Sequence, residues 1–381
     1  MKAPKTFYLL FGLLLFISCG KEDDHVPNQY STEEYAIIQE YLNLPEEALN
    51  YRRNEENPYG ATADFHIVQQ SLALNYNHSA TLGRVLFYDE SISNAGISCA
   101  SCHQPAYGFG DAQALSNGFN GIEGRRNTPA LINLRFRYGN LLGWDGRYRE
   151  FEDQYQSCLE DAGRMNTLFS NFLANASKRA YYPILFEKAF GSDDLSRGRV
   201  SSALTDFLYS NYPYSTAFDP ARVANNRNML SDYAEFSAAQ NAGKAIYVAK
   251  CASCHGQYVY EPTFNLGNNG LDLVSEDPGA AIWSGNDFDE GRFRIPTLRN
   301  LAFTAPYMHD GRFPDLESVL THYAEGIEAH PNLHALLVDS ETGLPKFIEL
   351  TEQERGDLLA FLETLNQESI VEDERYAPVF K

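Results

Sequence analysis

Two Cys-x-x-Cys-His segments, Cys99–Cys102–His103 and Cys251–Cys254–His255, constrain this chain more than any other feature. Two thiols three residues apart on one helical turn reach the two vinyl groups of a single porphyrin, and the histidine that follows is directed at the iron. Paired cysteines also serve as redox dithiols or zinc knuckles, and in an exported chain they can oxidise to disulfides. Zinc wants four ligands gathered in one place, whereas these pairs lie far apart in the sequence. A histidine directly after each pair points to two covalently attached c-type haems, with His103 and His255 as proximal ligands.

The segments sit in an internal repeat. Gly83–Arg84–Val85–Leu86–Phe87 before the first pair matches Gly243–Lys244–Ala245–Ile246–Tyr247 before the second. Downstream, Asn127–Thr128–Pro129–Ala130–Leu131 matches Arg294–Ile295–Pro296–Thr297–Leu298, and Trp144–Asp145–Gly146–Arg147–Tyr148 matches His309–Asp310–Gly311–Arg312–Phe313. Three matches in one order predict two copies of a mono-haem unit, with a boundary near residue 230. Apolar spacing predicts a short helix over 32–42, a helix ending at 82–87, helical structure over 165–218 and a helix over 231–249. Pro213 and Pro220 mark a linker. Strand signals are few, so the expected fold is mostly α, two cytochrome c-like mono-haem domains joined by long loops.

The N-terminus reads as an export signal. Lys2 and Lys5 precede the apolar run Phe7–Ile17, which is too short to span a membrane stably and meets Ser18–Cys19–Gly20. A small residue before cysteine resembles a bacterial lipobox, although Phe16 stands where leucine is usual; an ordinary signal peptide cut nearby is the alternative. The acidic Lys21–Asp24 stretch weakly resembles signals that send lipoproteins to the cell surface. The expected division is a signal over 1–19, a polar tether over 20–70, one cytochrome domain over 71–230 and a second over 231–381. Lipidation at Cys19 would anchor the protein at the periplasmic face of a membrane or at the cell surface. The net charge of −21 argues against nucleic acid, which needs a basic footprint, and favours a basic protein partner.

From about residue 70 to 365 the sequence resembles the bacterial di-haem cytochrome c peroxidase and MauG superfamily. The resemblance rests on both haem segments, Arg126–Asn127–Thr128–Pro129, Trp144–Asp145–Gly146–Arg147, and the run from Pro296 through Arg299–Asn300 and Thr304–Ala305–Pro306–Tyr307–Met308–His309–Asp310–Gly311. It implies a calcium ion near the domain interface, bound by Asn127 and the carbonyls of Thr304 and Pro306; oxygen donors suit that hard cation. It implies Trp144 as an electron relay between the haems, against the plain alternative of a core aromatic. A homodimer is compatible with it.

Three departures from the peroxidase branch matter. The second ligand of the C-terminal haem, a methionine in that branch, falls at Tyr323, fourteen residues beyond His309; MauG-type members use tyrosine there. His322 next door is a rival, and Met308 a further one. The loop 115–124 lacks the histidine that caps the N-terminal haem in peroxidases, which predicts an open first iron. On the distal side Gln154 is kept, but Arg164 stands where the acid–base glutamate is usual, with Glu160 and Asp161 as substitutes nearby. Cys158, at the repeat position of Tyr323, reads as a small buried residue rather than a ligand. The resemblance thus implies a peroxidase that reduces hydrogen peroxide with electrons from a small cytochrome c or copper protein. The alternatives are a MauG-like enzyme oxidising residues of another protein through a ferryl state, and a plain di-haem electron carrier.

Overall fold

The computed structural model describes residues 29–51, 75–136, 141–212, 215–257, 259 and 262–381. Cys19, the leader and much of the tether lie outside the described residues. Within them the chain is mostly helical: twelve α-helices, short 3-10 turns and one antiparallel pair of two-residue strands, β1 (Leu266–Gly267) and β2 (Phe293–Arg294).

Local chemistry sets the helix boundaries. Helix α1 (Thr32–Tyr41) starts at a capping box in which Ser31 and Glu34 satisfy each other's backbone N–H. The predicted 165–218 stretch is three helices, α4 (Phe169–Ala176), α5 (Tyr181–Phe190) and α6 (Arg197–Ser210). Gly191, in the left-handed conformation, closes α5. Pro220 lies inside the first turn of α7 (Phe218–Ala224), not in a linker; that turn has no intrahelical N–H partner to lose. Helix α8 (Ala238–Lys250) starts seven residues later than its apolar spacing predicts, because Ser237 and Gln240 form a capping box. The Asn241 amide accepts from Tyr233 N at 2.8 Å and donates to Tyr233 O at 2.9 Å, holding the preceding residues in a turn.

Two apolar clusters form around two helix crossings. In the first, α2 (Tyr76–Tyr88) packs on α6; in the second, α8 packs on α12 (Glu352–Glu363). Each crossing has a glycine at its closest point. A Cβ on Gly83 would sit 2.0 Å from Ala203 O, and one on Gly243 would sit 1.9 Å from Asp357 O. Those two glycines occupy the same place in the sequence repeat. The clusters do not follow chain order throughout. Phe218, Ala221 and Met229 belong to the second, whereas Ile370, Tyr376 and Val379 return to the first. Tyr376 Oη donates to Ser210 O at 2.6 Å, and Arg84 Nε donates to Ala377 O at 2.8 Å, which ties the C-terminal tail to α2 and α6. A fully buried pair, Arg299 with Asp219 at 2.6 Å, fixes α7 against the Pro296–Asn300 run.

Candidate active site

Each Cys-x-x-Cys-His segment follows a long helix and coils into one further turn. His103 N donates to Cys99 O at 2.9 Å, and His255 N donates to Cys251 O at 3.0 Å, so in both copies the two thiols and the imidazole share one turn. The five described cysteines form no disulfide, and burial pushes the Cys99 and Cys251 thiols up to about 12. Each histidine spends one ring nitrogen on a backbone carbonyl. His103 Nδ1 lies 2.8 Å from Phe109 O and His255 Nδ1 lies 3.1 Å from Pro296 O. That bond fixes the tautomer with the proton on Nδ1 and leaves Nε2 for a metal. Burial moves both imidazoles down, His103 to about 4, with the Arg164 charge a smaller contribution for His103; both are neutral, as a metal ligand must be.

A cavity of about 980 Å³ opens beside His255, at the upper end of the roughly 300–1,000 Å³ typical of cofactor pockets. Cys251, Cys254, Met308 and Tyr323 line it with His255. Tyr323 comes from α11 (Leu316–Glu325), and burial raises its hydroxyl to about 12, with an Asn269 hydrogen bond pulling the other way. His322 is not among the lining residues; its Nε2 lies 3.0 Å from Asn269 O. Asn269 Nδ2 also reaches Met308 Sδ at 3.5 Å. One asparagine therefore touches all three groups that compete in the sequence as second ligand. Nothing in the sequence marked it, since it belongs to no repeated motif.

The same cavity reaches Asn127, Trp144, Thr304, Pro306 and His309. Trp144 Nε1 donates to Asn127 O at 2.8 Å, and Asn127 N donates to His309 O at 2.8 Å, so the two copies of the repeat meet at these residues. Both amide hydrogens of Asn127 go to the carbonyls of Gln113 and Ala114, which leaves Oδ1 as its free acceptor end. His309 stacks on Phe293, with ring centres 3.7 Å apart. Arg126 grips Asp277 with two bonds of 2.6 and 2.7 Å and Asp145 with a third of 2.6 Å, clamping the two halves together.

Around the first segment, Gln154 and Cys158 lie one turn apart on α3 (Phe151–Glu160). Gln154 Nε2 approaches Cys158 Sγ at 3.3 Å, and Arg164 Nη1 approaches it at 2.9 Å. The three residues assigned from the sequence to the distal side thus converge. Gln154 Oε1 is buried and finds no partner among the described residues. Glu160 and Asp161 are engaged elsewhere: Glu160 Oε1 accepts from Gln156 and from Phe169 N, and Asp161 Oδ1 accepts from Gly163 N. The loop without a histidine is a hairpin resting on this group, with Phe119 N donating to Arg164 O at 2.7 Å.

Paired thiols followed by carbonyl-anchored, neutral imidazoles define a c-type haem protein, and the described residues fit that cofactor twice. Residues 77–227 match the family of di-haem cytochrome c peroxidases. Methylamine utilization protein MauG of Methylorubrum extorquens is 32% identical over 303 residues, which span 75% of this chain and 78% of that protein. Cytochrome-c peroxidase IdrP1 of Denitromonas iodatirespirans is 30% identical over 330 residues, 78% of this chain and 84% of the relative. Among solved structures, a MauG-like protein associated with microbial copper homeostasis superposes with a TM-score of 0.67 at 29% identity, covering 79% of this chain and 93% of that one. The chain belongs to the di-haem cytochrome c peroxidase and MauG family. It is an oxidoreductase enzyme with two c-type haems.

Proposed function

We propose that this enzyme reduces hydrogen peroxide at the N-terminal haem, with electrons delivered by a small redox protein and passed on through the C-terminal haem. The observation that carries the proposal is the unlike surroundings of the two proximal histidines. The cavity that His255 lines also offers Tyr323, an oxygen donor able to hold an iron from the second side. Near His103 the distal group offers hydrogen-bonding side chains and no histidine. A haem with one open position supplies an iron that can take peroxide and cut its O–O bond. The chain's own part is to hold the peroxide: the unpaired Gln154 Oε1 accepts a hydrogen bond from it, and the Arg164 guanidinium steadies negative charge as the bond breaks. Trp144, which lines the cavity beside His255, is the relay assigned between the two centres.

A pyridine haemochrome assay on matured protein should give two c-type haems per chain, and the protein should consume peroxide in the presence of a reduced donor. One haem or none, or two haems without peroxide turnover, would sink the reading. Replacing Gln154 by leucine should slow the peroxide reaction by about tenfold or more, the scale of removing one positioned polar group, with haem content unchanged. Tyr323 in the cavity wall also suits the MauG-like alternative, oxidation of residues of a protein substrate. A protein product altered only in the presence of peroxide would identify that activity.

The finer architecture belongs to the same proposal. The expected cytochrome c-like units at 71–230 and 231–381 find support in the two apolar clusters, although Phe218, Ala221 and Met229 join the second and Ile370, Tyr376 and Val379 the first. Asn127 Oδ1, with the carbonyls of Thr304 and Pro306, is a fitting oxygen set for calcium between them. The family's periplasmic setting suits export, and we propose that lipid on Cys19 anchors the mature chain. Cys19→Ala should release it from the membrane fraction; retention of the variant would refute the anchor.

A further inference from the structure

The chain has two tryptophans, and the structure brings them to one place. Trp144 lines the cavity beside His255, whereas Trp283 sits at the surface, 45% exposed. Trp283 Nε1 donates to Asp145 O at 3.0 Å, so its indole is bonded to the peptide that follows Trp144. The Arg126 clamp, which grips Asp277 on one side and Asp145 on the other, holds this segment in place. Trp283 is thus a surface group bonded to the peptide next to the half-buried Trp144.

Its surroundings are those of a docking site. Ile282 and Phe288 are 52% and 62% exposed, and the short helix α10 (Ala281–Ser284) packs against the turn Asp287–Asp289 that carries Phe288. Three large apolar side chains thus stand in water on two touching elements. Arg292 lies over the Phe288 ring at 4.8 Å and pairs with Asp289, and the charged residues of the stretch that carries the patch are all acidic. From Leu271 to Glu290 the sequence has Asp272, Glu276, Asp277, Asp287, Asp289 and Glu290, and no lysine or arginine. Asp272, Asp277 and Asp289 pair with Arg312, Arg126 and Arg292. Among the described residues no cation pairs with Glu276, Asp287 or Glu290. An apolar centre inside a polar rim is the anatomy of a protein interface, and a rim of uncompensated carboxylates selects a basic partner and speeds its encounter.

We propose that the surface of Ile282, Trp283 and Phe288 is where a small, basic redox protein with an apolar cofactor edge docks, and that Trp283 is the point of electron entry. The inference rests on the peroxidase reading and names the partner class of that same site. Each docked donor gives up one electron, which passes from Trp283 through the Asp145 peptide to Trp144, in the wall of the His255 cavity where the C-terminal haem would receive it. Two such electrons and two protons from water convert one hydrogen peroxide to two waters, and two donor molecules leave oxidised by one electron each.

The test uses the haem-loaded enzyme, peroxide and two donors. One is reduced mitochondrial cytochrome c, which is small, basic and has an exposed haem edge. The other is the small dye ABTS, which needs no docking surface. I282S/F288S, and separately E276K/D287K/E290K, should raise KM for cytochrome c about tenfold, with ABTS turnover unchanged. W283F keeps an apolar aromatic ring but lacks the indole N–H; it should lower kcat with cytochrome c while KM stays. The proposal is overturned if cytochrome c oxidation is unaffected by all three variants. It is also overturned if both donors fall together, because the segment would then have only a structural part. A wild-type enzyme that oxidises neither donor with peroxide would overturn the peroxidase reading itself, and the docking inference with it.

Discussion

Tyr323→Phe should change the C-terminal haem more than any other single-atom deletion in the chain. The substitution removes one oxygen and keeps the ring, so packing in α11 survives. Tyr323 is an oxygen donor lining the same cavity as His255, and a phenolate on iron favours the ferric state. Its loss should convert a low-spin ferric haem to high-spin, and raise the potential by on the order of 0.1 V, a fraction of the roughly 0.8 V that axial ligands span. Absorption, EPR and a redox titration read all of this without any turnover. His322→Ala should leave the same spectrum in place, since His322 is outside the cavity and its Nε2 is held at Asn269 O. A spectrum that shifts with His322→Ala and not with Tyr323→Phe would transfer the ligand to His322. Should neither change matter, Met308, which lines the cavity beside Asn269, takes the position.

Gly83→Ala and Gly243→Ala should each cost about 3 kcal/mol or more, at or above the top of the range for overpacking. The added methyl would lie about 2 Å from a backbone carbonyl oxygen, Ala203 O in one crossing and Asp357 O in the other. A backbone atom cannot swing aside as a flexible side chain can, so the two helices must separate. Gly356→Ala is the control. It lies in α12 beside Asp357, and its added Cβ would meet nothing within 4 Å. It should stabilise by roughly 0.5–1 kcal/mol from helix propensity and lost chain entropy. Thermal melts should therefore move in opposite directions, by several degrees in the destabilised variants. Equal, small shifts in all three would mean that the crossings are not close-packed. Helix α8 runs directly into Cys251 and α2 packs against the turn at Cys99, so the destabilised variants should also bind less haem.

The family, the two haem attachments and the mostly helical fold were legible in the sequence for a physical reason. Covalent attachment needs thiols and an imidazole on one turn, so the motif is local and survives as consecutive residues. Gly83 and Gly243 stand in matching pentapeptides ahead of the two cysteine pairs, and each lies at a close helix crossing. Helix boundaries were less legible. Apolar spacing placed the start of α8 at residue 231, and the Ser237–Gln240 capping box, with Asn241 holding Tyr233, moved it to 238.

Other features depend on residues distant in the chain. Tyr323 and His322 are adjacent, and no pattern says which faces the cavity; the packing of α11 against the second cluster turns one inward and leaves the other on Asn269 O. The cofactor and its number could be read from consecutive residues, because attachment rests on groups within one helical turn. How Arg126 joins Asp145 to Asp277, and that Trp283 lies against the peptide of Trp144, emerge only in the folded chain. Those arrangements come from contacts across more than a hundred residues of chain, where side-chain direction is set by packing and not by spacing.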